Sequence, residues 1–234
     1  MIRMRKSADV PPSLLDEKKR YDEEDVKKQL LKDQDGKCYL CERVTVTDFV
    51  IEHLFGKTKY PSKIKEWKNL HLACSYCNGK KYENFESILC PTSVNIEDEI
   101  EQRLDLRAKR AQFSSKFGDE GHEKTRQLLN LIFNGKREQR NVKEERFFNY
   151  FMSEMIDFID LVDTYEENHS KEIERSIEAE LDIHSEFLGF KYWIVKSSPT
   201  LNERFACRMV WNKEPMFGAR SSSTSTSSCY SFSP

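Results

Sequence analysis

The sequence has no run of about 18 apolar residues, which is the length that a membrane-spanning helix needs. No apolar stretch follows the basic start MIRMRKSADV, so the pattern of a secretory signal peptide is missing. A glycine-rich phosphate loop and internal repeats are absent too. We therefore expect a cytoplasmic protein with no membrane partner and with neither a phosphate-loop nor a repeat architecture.

The chain also lacks a strong net charge. Its 38 lysines and arginines are balanced by 40 aspartates and glutamates, and the sequence pI is about 6.3. A protein of this charge does not attract nucleic acid as a whole, so any such binding must be local or assisted by a partner. Hydrophobic residues make up 38% of the chain and aromatic ones 12%, which is enough for a helical core.

Cysteine is present in an odd number, seven, in a chain without an export signal, which favours metal binding over disulfides. Four of these residues form two Cys-x-x-Cys pairs, Cys38 with Cys41 and Cys74 with Cys77. Four thiolates complete the tetrahedral coordination of Zn²⁺ and leave no position for water or substrate. We therefore expect a structural zinc ion, with ordinary buried thiols or a redox pair as the alternatives.

Four polar residues between and after the cysteine pairs have the chemistry of a phosphodiesterase with one catalytic metal ion. A carboxylate from Glu52 and an amide oxygen from Asn78 can hold a hard cation such as Mg²⁺. Histidine has an ordinary pKa of about 6.5, so neutral His53 can take a proton from water at physiological pH. Asn69 is positioned in sequence to fix the loop that follows His53.

The order Glu-His, Asn-Leu, Cys-x-x-Cys-Asn-x-x-Lys over residues 38 to 81 resembles the HNH (ββα-metal) endonuclease family. Asn78 stands where many members have histidine, which favours Mg²⁺ or Mn²⁺ because an amide oxygen is a harder ligand than imidazole. The tripeptide 54–56 (Leu-Phe-Gly) replaces the Phe-Arg-Pro of many relatives, so loop contacts are less transferable. The resemblance implies that the general base is His53, the catalytic-metal ligands are Glu52 and Asn78, the loop-orienting residue is Asn69, and a phosphate contact is Lys81.

The amino-terminal arm extends this resemblance, with Lys-Ser at 6–7, Pro-Pro at 11–12 and Leu-Leu at 14–15 ahead of Gly-Lys-Cys at 36–38. About the first hundred residues are similar to the HNH nuclease subunits of Septu-type anti-phage defence systems, which also serve as effectors of some retrons. The resemblance implies an ATPase partner resembling PtuA. In a retron it also implies a reverse transcriptase and its DNA-RNA product.

Positive charge is concentrated around the candidate site, since residues 37 to 82 contain nine lysines and arginines and four acidic residues. Such a run is usually a solvated face, but beside a metal site it suggests a track for phosphates. DNA is the default substrate. RNA, including tRNA, stays open because a lysine track binds backbone charge and does not distinguish sugar or sequence. The candidate nucleic-acid contacts are Lys57, Lys59, Lys80 and Lys81.

The periodic pattern predicts an α+β fold with a mainly α-helical carboxy-terminal region, and the resemblance implies that residues around the cysteine pairs form a zinc-stapled ββα-metal (HNH) module. Residues 98–117 fit a hairpin or a charged helix, and we favour the hairpin. A wide apolar stripe over residues 141–166 predicts a long helix that packs into the core. The expected organisation is an arm and helix at 1–35, the nuclease module at 36–95, the helical domain at 96–215, and a disordered serine-rich tail at 216–234.

These residues predict a metal-dependent endonuclease, and the resemblance implies that it acts as effector of an anti-phage complex. One alternative is a non-catalytic, zinc-stapled subunit that binds nucleic acid or protein. A weaker one is a partner scaffold in which the long helix rich in phenylalanine and methionine matters most.

Overall fold

Two antiparallel hairpins and nine α-helices form the part of the chain that this computed structural model describes, residues 1–45, 47–82 and 85–211. This confirms the predicted α+β class. In chain order the helices and strands are α1 Pro12–Leu15, α2 Glu24–Asp33, β1 Phe49–His53, β2 Leu70–Cys74, α3 Ser75–Lys81, α4 Ile96–Glu99, β3 Ile100–Asp105, β4 Arg110–Ser115, α5 Glu120–Asn134, α6 Val142–Asn168, α7 Lys171–Glu180, α8 Leu188–Ser197 and α9 Pro199–Phe205.

The first hairpin pairs β1 with β2 in an antiparallel register that runs from Phe49 opposite Cys74 to His53 opposite Leu70. Helix α3 follows β2 without a break, and the Cys74 side chain caps it by accepting from the backbone N–H of Cys77. A strand–strand–helix order is therefore present where we predicted it. Ahead of the first strand, Val44 makes only an isolated bridge with Lys37.

Helix α2 comes directly before the first cysteine pair in the chain. It ends close to Gly36, whose φ of 67° is a left-handed conformation that favours glycine. A small apolar cluster joins α1 and α2 to the back of β2, and Trp67 donates to the Ser7 carbonyl at 3.0 Å. The members of this cluster are Leu14, Val26, Leu30, Trp67, Leu70 and Leu72.

The second hairpin confirms the preferred interpretation of residues 98–117. Strands β3 and β4 pair from Ile100 opposite Ser115 to Asp105 opposite Arg110. The turn between them is closed by Lys109 in a left-handed conformation with φ of 50°. A charged helix was the alternative because the turn contains no glycine or proline to mark it.

The apolar stripe predicted at 141–166 lies in α6, and its core-packing interpretation is confirmed. Asn141 and Glu144 form a reciprocal capping box at its amino end, which satisfies otherwise unpaired backbone N–H groups. Phe151 and Phe158 are fully buried. They belong to a large hydrophobic cluster that also contains the four paired cysteines and residues of α5, α8 and α9, so one core connects the cysteine site with the helices.

No helix within the described ranges is both long and apolar enough to cross a membrane. The serine-rich tail predicted at 216–234 lies outside the described residues.

Candidate functional site

Cys38, Cys41, Cys74 and Cys77 come together at the start of the β1–β2 unit, where all four are buried. Their sulfur atoms all lie within 4.8 Å of one another, and the Sγ atoms of Cys41 and Cys74 are 4.0 Å apart. A zinc ion with Zn–S bonds of about 2.3 Å requires S–S edges of about 3.8 Å. The four cysteines therefore fit a structural zinc ion, and none of the six cysteines in the described ranges forms a disulfide.

Two tight turns present these sulfurs. In the first, the N–H of Glu42 donates to the Cys38 carbonyl at 2.8 Å, and Glu42 takes a left-handed φ of 65°. The second turn is the capped start of α3. Burial raises the pKa of the Cys41 and Cys77 thiols well above the ordinary value, so a cluster of thiolates here requires a cation to offset its charge.

His53 ends β1, and its imidazole is oriented by the loop that follows. Its Nε2 lies 3.0 Å from the Ile64 carbonyl oxygen. Because a carbonyl can only accept, this bond places the proton on Nε2 and leaves a lone pair on Nδ1. Burial lowers the pKa of His53 to about 4, so the imidazole is neutral at physiological pH. These are the tautomer and charge that a general base requires.

Asn69 clamps the same loop from the start of β2. Its Nδ2 donates to the carbonyls of Phe55, at 3.2 Å, and Lys63, at 3.0 Å, while its Oδ1 accepts from the N–H of Phe55 at 2.7 Å. Lys63 directly precedes Ile64, whose carbonyl orients His53. Asn69 therefore lies where the sequence predicted a loop-orienting residue.

Glu52 belongs to β1, its side chain reaches Lys81 at the end of α3, and it is only 7% exposed. Its Oε1 accepts from Lys81 Nζ at 2.8 Å and its Oε2 accepts from the Tyr39 hydroxyl at 2.5 Å. Burial raises the pKa of the Glu52 carboxyl, and the adjacent Lys81 ammonium opposes that shift. Both oxygens are thus engaged by protein groups.

The cation expected between Glu52 and Asn78 does not fit this arrangement. The Asn78 side chain is exposed on α3, whereas Glu52 is buried and bonded to Lys81 and Tyr39. The two predicted ligands are therefore not presented as an open pair of oxygen donors. We derive no chemical step through a metal ion at these residues.

The lysines expected to contact phosphate all have protein partners. Lys81 is 2% exposed and also donates to the carbonyls of His53 and Leu54, so its arrangement differs from that of a surface phosphate contact. The other three are on or near the surface. Lys57 donates to the Tyr21 hydroxyl at 3.0 Å, Lys59 pairs with Glu86 at 2.8 Å, and Lys80 pairs with Glu144.

Two tyrosines at the site were not among the sequence-based candidates. Tyr39 lies in the turn between Cys38 and Cys41. Its burial against Glu52 depends on the close approach of this turn to β2, where the Tyr39 N–H donates to the Leu72 carbonyl. Tyr21 comes from the arm before α2, and its ring meets the His53 ring edge-on with centroids 4.7 Å apart. Neither contact has a local sequence signal, because the partners are distant in the chain.

Comparison of the chain with protein-family models and with curated proteins gives no match. The functional assignment therefore depends on the residues themselves.

Proposed function

We propose that the chain is a metal-dependent endonuclease of the HNH type that hydrolyses phosphodiester bonds in nucleic acid. The observation that carries this proposal is the arrangement of His53, with Nε2 bonded to the Ile64 carbonyl and with Asn69 fastened to the same loop. The bond at Nε2 satisfies one ring nitrogen of this buried histidine and leaves Nδ1 free. A general base needs such support, because its free nitrogen must be held in one direction.

In the proposed reaction, Nδ1 of His53 takes a proton from a water molecule as the water oxygen attacks phosphorus. The bond between phosphorus and the leaving sugar oxygen breaks, and that oxygen takes up a proton. The resemblance implies a divalent cation, Mg²⁺ or Mn²⁺, which would stabilise the charge on the leaving oxygen when bound. Glu52 and Asn78, the ligands that the resemblance implies, are not presented as a pair in this structure, so no step is assigned to them. Zn²⁺ at the four cysteines would keep the module folded.

We propose further that the nuclease is the toxic effector of an anti-phage complex. The support is the resemblance of the arm and of residues 36–81 to PtuB, the nuclease of Septu-type systems and of some retrons. The partner would be an ATPase subunit resembling PtuA, and in a retron the complex would include a reverse transcriptase and its DNA-RNA product. DNA is the favoured substrate, with RNA or tRNA as the other possibility.

A non-catalytic, zinc-stapled binding subunit is the second candidate. It is favoured by one observation, the buried pairing of Glu52 with Lys81, which occupies a carboxylate that a catalytic metal would need. In that case the Glu52–Lys81 pair has only a structural role.

Nuclease assays on the purified complex with its ATPase partner distinguish these functions. Wild type, His53→Ala and the control His184→Ala are incubated with DNA and with RNA in Mg²⁺ or Mn²⁺, because His184 is an exposed histidine away from the site. We expect cleavage by wild type and His184→Ala, and loss of cleavage in His53→Ala with unchanged zinc content. Equal cleavage by all three variants rejects the role of His53, and full biological activity of His53→Ala supports the binding subunit.

A further inference from the structure

The arm segment 16–23, which we call the strap, lies over the candidate base. It connects α1 to α2 and places the ring of Tyr21 edge-on against the imidazole of His53. As a result His53 is only 5% exposed, although it ends a strand and precedes a lysine-rich loop. A base that activates water for attack on a nucleic acid must reach both solvent and phosphate, so this arrangement is closed.

Two lysines of the loop after β1 hold the strap. The ammonium of Lys57 donates to the Tyr21 hydroxyl at 3.0 Å and lies 5.1 Å from the centre of the Tyr21 ring. Lys65 donates to the backbone carbonyl of Asp16 and, at 3.1 Å, to that of Lys19. The strap is therefore attached to the loop through three neutral oxygen atoms.

The charged side chains of the strap are satisfied largely by one another. Arg20 makes a bidentate contact with Asp22, and its backbone N–H donates to Glu23. At the ends of the strap, Ser13 in α1 donates from both its hydroxyl and its N–H to Asp25 in α2. Because the Ser13–Asp25 contact joins α1 directly to α2, it can persist while residues 16–23 move away from the loop.

We propose that the strap is an autoinhibitory cover of His53, and that nucleic acid releases it by competing for Lys57 and Lys65. A phosphate oxygen carries negative charge, so it attracts a lysine ammonium by a Coulomb interaction between opposite charges that a neutral phenol or carbonyl oxygen does not offer. Phosphates therefore displace the phenol and carbonyl oxygens from the two ammonium groups. Lys65, which the sequence did not single out, becomes a phosphate contact in the open state.

This inference rests on the nuclease function proposed above, but its first test does not depend on cleavage. The full-length, zinc-loaded chain is treated with diethyl pyrocarbonate, and the modification rate of each histidine is followed by mass spectrometry. In wild type, His53 should react much more slowly than exposed His184. Tyr21→Ala should raise the rate at which His53 is modified at least about tenfold, because the reagent then reaches the imidazole without local opening of the strap. Tyr150→Ala, a control in α6, should leave it unchanged.

Hydrogen exchange provides the second test. A short single-stranded DNA, added without divalent cations so that it stays intact, should speed amide exchange in residues 16–23 and slow it in residues 57–65. Lys65→Met, which keeps the side-chain length and removes the ammonium, should speed exchange in the strap without DNA.

The proposal is overturned if His53 in wild type reacts as fast as His184, or if Tyr21→Ala leaves its rate unchanged in a folded protein. Slower exchange of both segments with DNA also overturns it, since the strap would then stay closed over bound substrate. If Tyr21→Ala exposes His53 but no variant cuts nucleic acid with the partner present, the cover is established and the nuclease function is rejected.

Discussion

Lys81 and Glu52 form an ion pair at 2.8 Å with side chains that are only 3% and 8% exposed. The pair joins the end of α3 to β1, and the same ammonium donates to the carbonyls of His53 and Leu54. Lys81 thus fixes the backbone carbonyls of the candidate base and of the residue that follows it. A buried pair of this kind is costly to break, since removing one partner leaves the other charge unpaired.

We expect Lys81→Met to lower the free energy of unfolding by about 3 to 5 kcal/mol, because Glu52 is left buried without its counterion. The double variant Glu52→Gln/Lys81→Met should recover part of this loss. Urea denaturation measures the free energy of unfolding of both variants. The control is Lys59→Met, which removes an ion pair with Glu86 whose lysine side chain is 65% exposed, so this change should cost much less stability than Lys81→Met. Equal losses in Lys81→Met and Lys59→Met contradict the structural role of the buried pair.

Zinc removal should unfold the β1–β2–α3 unit, because the four buried cysteines lie in the core that also contains the helices. Purified protein should contain one zinc ion per chain by elemental analysis. Cys74→Ser should lose that ion and most of its helical circular dichroism signal. Cys207→Ser, a change at an exposed cysteine, should retain both. A metal-free wild type with the same melting temperature argues against a structural zinc ion.

Asn69→Ala should reduce cleavage strongly while leaving zinc content unchanged, because the loop that carries Ile64 loses three hydrogen bonds. The loss of those bonds should also cost about 1 to 3 kcal/mol in the free energy of unfolding, from unsatisfied buried groups. As a positioning residue, Asn69 should also hold the orientation of the His53 ring. The imidazole resonances of His53 should therefore broaden in the variant. Unchanged resonances together with full cleavage contradict the clamp.

The sequence predicted those parts of the fold that depend on local pattern. The apolar stripe located α6, the hairpin was the favoured interpretation of residues 98–117, and the spacing of the cysteines predicted the cluster that the structure shows. Asn69 also lies as expected, because its partners are in the adjacent loop.

Contacts between distant segments were not predictable in this way. The burial of Lys81 depends on the angle between α3 and β1, and the covering of His53 depends on how the arm returns across the loop. Lysines that are clustered in the sequence can therefore bind partners within the protein. Which of them do so depends on how the distant segments pack.

His71 leads to a prediction about acid stability. It lies opposite Glu52 in β2, is fully buried against the Tyr39 ring with centroids 4.8 Å apart, and makes no well-formed hydrogen bond through either nitrogen within the described structure. Burial, assisted by the positive charge of Lys6, lowers the pKa of His71 well below its ordinary value. In the unfolded chain the pKa returns to about 6.5.

Below about pH 6.5 the unfolded state therefore binds a proton that the folded state does not, and stability is lost as the pH falls. The slope approaches about 1.4 kcal/mol per pH unit for each such histidine. Urea midpoints from pH 7 to pH 5 should fall less steeply in His71→Phe than in wild type, and His184→Ala should behave as wild type. Some acid sensitivity should persist in His71→Phe, because burial lowers the pKa of His53 to about 4. A slope unaffected by His71→Phe would mean that the imidazole gains a proton without cost, and hence that the strand pair opens to water at that position.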